Sequence, residues 1–142
     1  MTQPNPNINP SPLFVVSTSS EDPSLALAGT IAEAADDRKA GDILLLSVTE
    51  ISYLTDYFII ATGFSRAQVR AICNSIENAV EEQHERVPDR VEGKSAGSWI
   101  VLDYGEAIAH ILLPEEREYY NLEAFWGHAK RIDYQFDRAV GE

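Results

Sequence analysis

The chain has 142 residues, of which 44% are hydrophobic and 24% charged, and these proportions are typical of one globular domain. Its 23 acidic residues outnumber its 11 basic ones, and the resulting charge of −12 argues against direct nucleic-acid binding and favours a basic partner. The longest apolar runs are far shorter than the roughly 18 residues of a membrane span. The single cysteine, Cys73, excludes an internal disulfide, so we predict a cytoplasmic protein in a reducing compartment.

Residues 1–23 are rich in proline, asparagine and serine, and the first basic residue of the chain is Arg38. Such a segment buries too little apolar surface to offset the entropy lost on ordering. It also lacks the basic residues of a signal or transit peptide. We therefore predict a disordered tail over residues 1–23 and a single domain over residues 24–142.

The domain is predicted to start with a helix that Ser24 caps and Gly41 ends. Two apolar runs, residues 43–48 and 57–62, predict buried strands. Further elements follow in chain order: a helix from the Ser65–Gln68 capping box to about Arg86, an edge strand at 90–92, a hairpin of 99–104 and 107–113 ended by Pro114, a short helix capped by Asn121, and a loose turn at Phe136 and Val140. This order predicts an α/β (α+β) fold, with helices on the faces of a mixed sheet of four or five strands.

Gly63 and Ser65 lie between a predicted strand and helix, which is the position of a hydrolase nucleophile. Asp103 and then His110 or His128 follow in the order of a catalytic triad. Capping the helix is the simpler role for Ser65, and a phosphate bound by the free amides there is a further alternative. The three histidines are scattered without metal-ligand spacing, so no metal site is predicted.

Aromatic and acidic residues are interleaved between residues 99 and 126. Strand alternation divides the first hairpin strand into two faces, with Trp99, Val101 and Asp103 on one and Ile100, Leu102 and Tyr104 on the other. A Trp and an Asp on one face are typical both of a core edge capped by a charge and of an interface whose acidic rim selects a basic partner. The pattern alone leaves both interpretations open.

Several motifs, in this order and spacing, resemble the Iojap family of bacterial ribosomal silencing factors. They are residues 55–63 (TDYFIIATG) with Ser65, residues 92–93 (EG), residues 99–106 (WIVLDYGE), His110, and residues 117–123 (REYYNLE) with Trp126. The match covers residues 42–126, which is most of the chain outside the predicted tail.

The resemblance implies a domain akin to nucleotidyltransferases, usually a homodimer, that binds ribosomal protein fourteen of the large subunit. Occupying that surface would stop the small subunit from joining and would repress translation when nutrients are scarce. The implied mechanism is steric, so no catalytic residue, cofactor or metal is predicted. Carried over by motif position, the partner-binding residues are Trp99 and Asp103 first, then Tyr104, Arg117, Glu118, Tyr119 and Tyr120.

The alternative is a small nucleotide- or phosphate-binding enzyme that uses the helix start at Gly63 to Ser65. Nucleotide transfer needs two carboxylates one residue apart on a strand to hold Mg²⁺. Glu116 and Glu118 have that spacing, but they follow Pro114 in a predicted turn. The sequence therefore favours a binding protein over an enzyme.

Overall fold

The computed structural model describes residues 22–50 and 52–133. Its elements are α1 (Pro23–Asp37), β1 (Gly41–Ser47), β2 (Tyr57–Thr62), α2 (Arg66–His84), β3 (Arg90–Glu92), β4 (Trp99–Asp103), β5 (Ala107–Leu112), α3 (Pro114–Tyr120), α4 (Leu122–Phe125) and β6 (Lys130–Ile132). The predicted tail, apart from its last two residues, and the predicted turn at Phe136 and Val140 lie outside the described residues.

The strands form one sheet in the order β3-β4-β5-β2-β1-β6. β2 and β5 are parallel, and every other neighbouring pair is antiparallel. The predicted mixed sheet with flanking helices is confirmed, as is the β4–β5 hairpin. The described part of the sheet has six strands rather than four or five, because β6 pairs with β1 through Ile132 and Leu45.

The first helix begins before the predicted cap. The carboxylate of Asp22 accepts hydrogen bonds from the backbone N–H groups of Ser24 and Leu25, and Pro23 occupies the first turn. The prediction that Ser24 caps this helix is wrong, because Asp22 followed by proline is an equally strong helix start. Gly41 does not end the helix either, since α1 ends at Asp37 and Gly41 opens β1.

The second helix has the predicted serine cap. The Ser65 side chain accepts from the backbone N–H of Gln68 at 3.0 Å. The Gln68 side chain accepts from the N–H of Phe64 and donates to the carbonyls of Arg38 and Lys39. These bonds join the start of α2 to the chain just after α1.

The core divides into two clusters, one on each face of the sheet. The larger cluster lies under α1 and α2 and includes Ile31, Ile59, Ile72, Ile76, Ile100, Leu102 and Ile111. The smaller cluster includes Leu46, Phe58, Ile60 and Leu112, with Leu122 and Trp126 packed against it. Because α3 and α4 are short, they cover only part of this second face.

The segment after β5 is helical where a turn was predicted. Pro114 occupies the first turn of α3, a position in which its missing N–H costs nothing. The next helix follows Asn121 as predicted, but the Asn121 side chain makes no cap hydrogen bond. Its backbone is left-handed (φ 48°) and ends α3 instead.

Candidate protein-interaction surface

On β4 and β5, the second face of the sheet is only partly covered by other residues. The strand register pairs Val101 with His110 and Asp103 with Ile108, and Trp99 lies two residues before Val101. All five side chains are half-buried. We refer to these five residues as the open face. It combines aromatic, apolar and acidic groups, as protein interfaces commonly do.

The Trp99 indole is held from two sides. Its Nε1–H donates a hydrogen bond to Nδ1 of His110 at 3.1 Å. The Tyr120 ring packs against it with the ring centroids 4.9 Å apart. Trp99 is therefore a fixed aromatic group rather than a freely rotating surface side chain.

Trp99 belongs to a continuous aromatic row. Neighbouring rings lie 4.7–6.4 Å apart in the sequence Tyr119, Tyr120, Trp99, His110, Phe58, Trp126 and Phe125. The two ends of the row are exposed, Tyr119 by 80% and Phe125 by 79%. The row joins α3, three strands and α4, and it brings the predicted residues Trp99, Tyr119 and Tyr120 together.

His110 lies within this row and is neutral at physiological pH. Burial lowers the pKa of its imidazole to about 4. The hydrogen bond from Trp99 requires an unprotonated Nδ1, so the remaining ring proton is on Nε2. Burial and the hydrogen bond from Trp99 thus both favour the neutral imidazole of His110.

We expect the stability of the protein to fall between pH 6.5 and pH 4. In this range the unfolded chain binds a proton at His110 that the folded chain does not, so the free energy of unfolding falls as pH falls. The shifted pKa of His110 contributes about 3 kcal/mol to the free energy of unfolding at neutral pH. Urea unfolding at pH 7 and pH 4.5 should show a smaller fall for His110→Asn than for the unsubstituted chain. Equal falls in both proteins would contradict this assignment.

The Asp103 carboxylate makes a hydrogen bond to the backbone and an ion pair with Arg90. Its Oδ1 accepts from the backbone N–H of Gly105 at 2.8 Å and so closes the β4–β5 turn. Its Oδ2 lies 3.5 Å from the guanidinium of Arg90, whose side chain is 67% exposed. At this distance and exposure the ion pair is weak. A cationic group from a partner could therefore replace Arg90 at this oxygen.

The Arg117 guanidinium contacts side chains of its own chain. It is buried, donates to Thr62 Oγ1 at 2.8 Å, and forms an ion pair with Glu123 at 3.1 Å. The guanidinium therefore joins α3 and α4 to the end of β2. The guanidinium thus has a structural role toward two other elements, and a partner contact at Arg117 stays a prediction.

Tyr104 lies on the opposite face of the sheet from Trp99. It is fully buried beneath the helices, on the side of the sheet that strand alternation assigned to it together with Ile100 and Leu102. Burial raises the pKa of its phenol. Its side chain is fully covered by the chain's own residues, and a partner contact at Tyr104 stays a prediction.

Removing the Tyr104 hydroxyl should stabilise the protein. This oxygen is buried and makes no hydrogen bond within the described residues. An unpaired buried hydroxyl carries an uncompensated desolvation cost, so Tyr104→Phe should raise the free energy of unfolding by about 1 kcal/mol. Chemical denaturation of the two proteins measures the difference. A loss of stability would instead indicate an unseen partner for the hydroxyl.

Glu118, Tyr119 and Tyr120 are exposed on α3, as a contact role requires. Glu116 and Glu118 lie on this helix rather than on a strand, and residues two apart on a helix do not face each other. Within residues 22–50 and 52–133, no three histidine, cysteine or acidic residues are grouped to hold a metal ion. No helix in these ranges is long and apolar enough to cross a membrane.

The helix start at Gly63 and Ser65 is used for packing and capping. Ser65 bonds to Gln68, and a Cβ at Gly63 would meet the Val69 side chain at 2.7 Å. Asp103 and His110 are bonded to other groups, as described above. Ser65, Asp103 and His110, which form one of the two candidate triads, therefore make no hydrogen bonds with one another in this structure, and His128, the alternative histidine, makes none with Ser65 or Asp103.

Sequence reasoning did not assign Phe58, His110 and Trp126 to the surface. Each is contributed by a different element, and only the fold brings their rings to Trp99. The sequence of β5 did contain a signal for His110. Strand alternation places His110 and Ile108 on one face of β5 and the small residues Ala107 and Ala109 on the other face.

Comparison with known proteins supports a family assignment. Residues 21–141 match the family described as "Ribosomal silencing factor during starvation". Ribosomal silencing factor RsfS of Bacillus subtilis is 40% identical over 105 residues, which cover 74% of this chain and 88% of that protein. A crystal structure of a Chromobacterium violaceum protein has a TM-score of 0.69 and 33% identity, covering 81% of this chain and 91% of that one.

Longer plant proteins are similar to the same region. The chloroplastic protein Iojap of Arabidopsis thaliana is 41% identical over 114 residues, which cover 80% of this chain. This match spans 47% of the plant protein, so the chain corresponds to about half its length.

Proposed function

Because this chain belongs to the family of ribosomal silencing factors, which includes the Iojap proteins, we propose that it represses translation by binding the large ribosomal subunit. The contact is made by the open face and the exposed residues of α3. The partner on the subunit is ribosomal protein fourteen, and the bound protein occupies the surface that the small subunit needs. The mechanism is steric and includes no chemical step.

The observation that supports this proposal is the placement of Trp99 and Asp103, both half-buried, on one partly open strand face. Aromatic side chains that are held in place lose little entropy on binding and are frequent interface hot spots. Ribosomal proteins must bind RNA phosphates and are rich in lysine and arginine. A chain with a net charge of −12 and a carboxylate on the same strand face as an aromatic anchor is complementary to such a partner.

Three further features of the proposal come from the family resemblance. The protein acts as a homodimer, it works in the compartment that holds its ribosomes, which we take to be the cytoplasm, and it acts under nutrient limitation. Sedimentation equilibrium of the full chain tests the first of these. A monomer at micromolar concentration would contradict the dimer without affecting the proposed subunit contact.

The proposed function is tested with purified ribosomal subunits on sucrose gradients. At a Mg²⁺ concentration that favours subunit joining, the protein should sediment with the large subunit and leave free small subunits. If the protein stays at the top of the gradient while joining proceeds normally, the proposal is wrong. In that case, thermal stabilisation by Mg²⁺ and a nucleotide would favour the alternative enzyme, because a ligand raises the melting temperature of the protein that binds it.

A further inference from the structure

The hydrogen bond between Trp99 and His110 uses the one polar atom of the indole. Tryptophan has a single donor, Nε1–H, and no acceptor. Since this donor is bonded to His110, the surface that Trp99 leaves accessible consists of ring carbon. Trp99 therefore cannot donate a hydrogen bond to a partner while this contact is intact.

His110 is itself held in place. Its backbone pairs with Val101 on one side and Ile60 on the other, in the centre of the sheet. The Phe58 ring lies 5.5 Å from the imidazole, and the Trp126 ring lies 4.7 Å beyond Phe58. The acceptor for Trp99 is thus fixed by packed rings on rigid strands rather than by a loop.

We propose that His110 is a positioning residue that fixes the Trp99 indole, so that Trp99 presents ring surface rather than an N–H group to a lysine or arginine side chain of the partner. This inference rests on the proposed function and specifies the chemistry of the same surface. His110 acts through Trp99 and does not itself need to touch the partner.

The chemistry of the surroundings supports a cationic group over the indole. The face of a tryptophan ring attracts ammonium and guanidinium groups more strongly than other aromatic rings do. Asp103 lies on the same strand face, and its Oδ2 already faces one exposed guanidinium, that of Arg90. If His110 were absent, the indole would lose its only hydrogen bond and keep only ring packing such as that of Tyr120, so binding would have to order the ring again.

The first test compares two substitutions of similar size. The side-chain oxygen of His110→Asn can take the place of Nδ1 as acceptor, whereas His110→Leu offers none. We expect His110→Leu to weaken binding to the large subunit about tenfold and His110→Asn to change it less than about threefold, since a net hydrogen bond is worth roughly that factor. In the free protein, the indole N–H resonance of Trp99 should shift in the leucine variant and stay near its original position in the asparagine variant.

The second test is a double-mutant cycle with Trp99→Phe, which keeps a ring but removes the donor. In the Trp99→Phe background, His110→Leu should cause no further loss of binding, because the contact through which it acts is already gone. The same tenfold loss in both backgrounds would overturn the inference, because His110 would then act independently of Trp99. If the unsubstituted chain fails to bind the subunit at all, the proposed function is wrong, while the indole resonance still tests the contact itself.

Discussion

Asp103→Lys is expected to abolish binding to the large ribosomal subunit, lowering the affinity at least about a hundredfold. The substitution replaces a carboxylate on the open face with a cation that would face a basic partner. Burying like charges against each other costs several kcal/mol, and a change of 1.4 kcal/mol alters affinity tenfold. Co-sedimentation with purified large subunits over a range of concentrations measures the loss.

The contacts of Asp103 require a matched control for this experiment. Because Oδ1 also accepts from the N–H of Gly105, lysine removes a turn contact as well as a charge. Asp103→Asn keeps a side-chain oxygen for Gly105 and removes only the charge. It should melt like the unsubstituted protein and bind about tenfold more weakly. If Asp103→Lys is folded and binds normally, the interface lies elsewhere on the molecule.

Local sequence signals predicted the parts of the fold that local interactions determine. The bounds of β2 and β3 and the hairpin that begins at Trp99 follow from apolar runs, alternation and turn residues within a few positions of each other. The cap at Ser65 also depends on one neighbour three residues away. Such features need no knowledge of what packs against them.

Elements that depend on distant partners could not be predicted in this way. β6 has only three residues and one buried side chain, and it is a strand because the free edge of β1 lies beside it. The sequence of α3 predicted a turn because it has no apolar residues at helical spacing. Only one of its seven residues, Arg117, is buried. Its helical form is supported by the contacts of Arg117 with Thr62 and Glu123.

At the candidate surface, the family motif and strand alternation make different predictions about the same side chains. A family motif marks Trp99, Asp103, Tyr104 and Arg117 alike, but it does not distinguish a contact residue from a residue that supports the surface. Strand alternation had already placed Tyr104 on the opposite face from Trp99, and its complete burial agrees with alternation. Where the two kinds of inference disagree about a side chain, the one based on geometry has the stronger physical basis.

Gly93→Ala is expected to destabilise the protein by about 3 kcal/mol or more, through backbone strain and a direct clash. Gly93 has a left-handed backbone (φ +89°) at the end of β3. A Cβ there would lie 1.9 Å from the carbonyl oxygen of Trp99, which is far inside contact distance. The clash can be relieved only if the end of β3 moves away from the start of β4.

The matched control is Gly105→Ala, at a second left-handed glycine with almost the same φ of +92°. A Cβ at Gly105 would meet only a side-chain oxygen of Asp89, at 3.4 Å. This variant should therefore lose only the roughly 1–2 kcal/mol of left-handed strain. Urea unfolding of both variants separates the two causes, and equal losses would mean that the clash at Trp99 relaxes without cost. A larger loss for Gly93→Ala would show that the β3–β4 connection holds the backbone of Trp99 rigidly, as a fixed aromatic anchor requires.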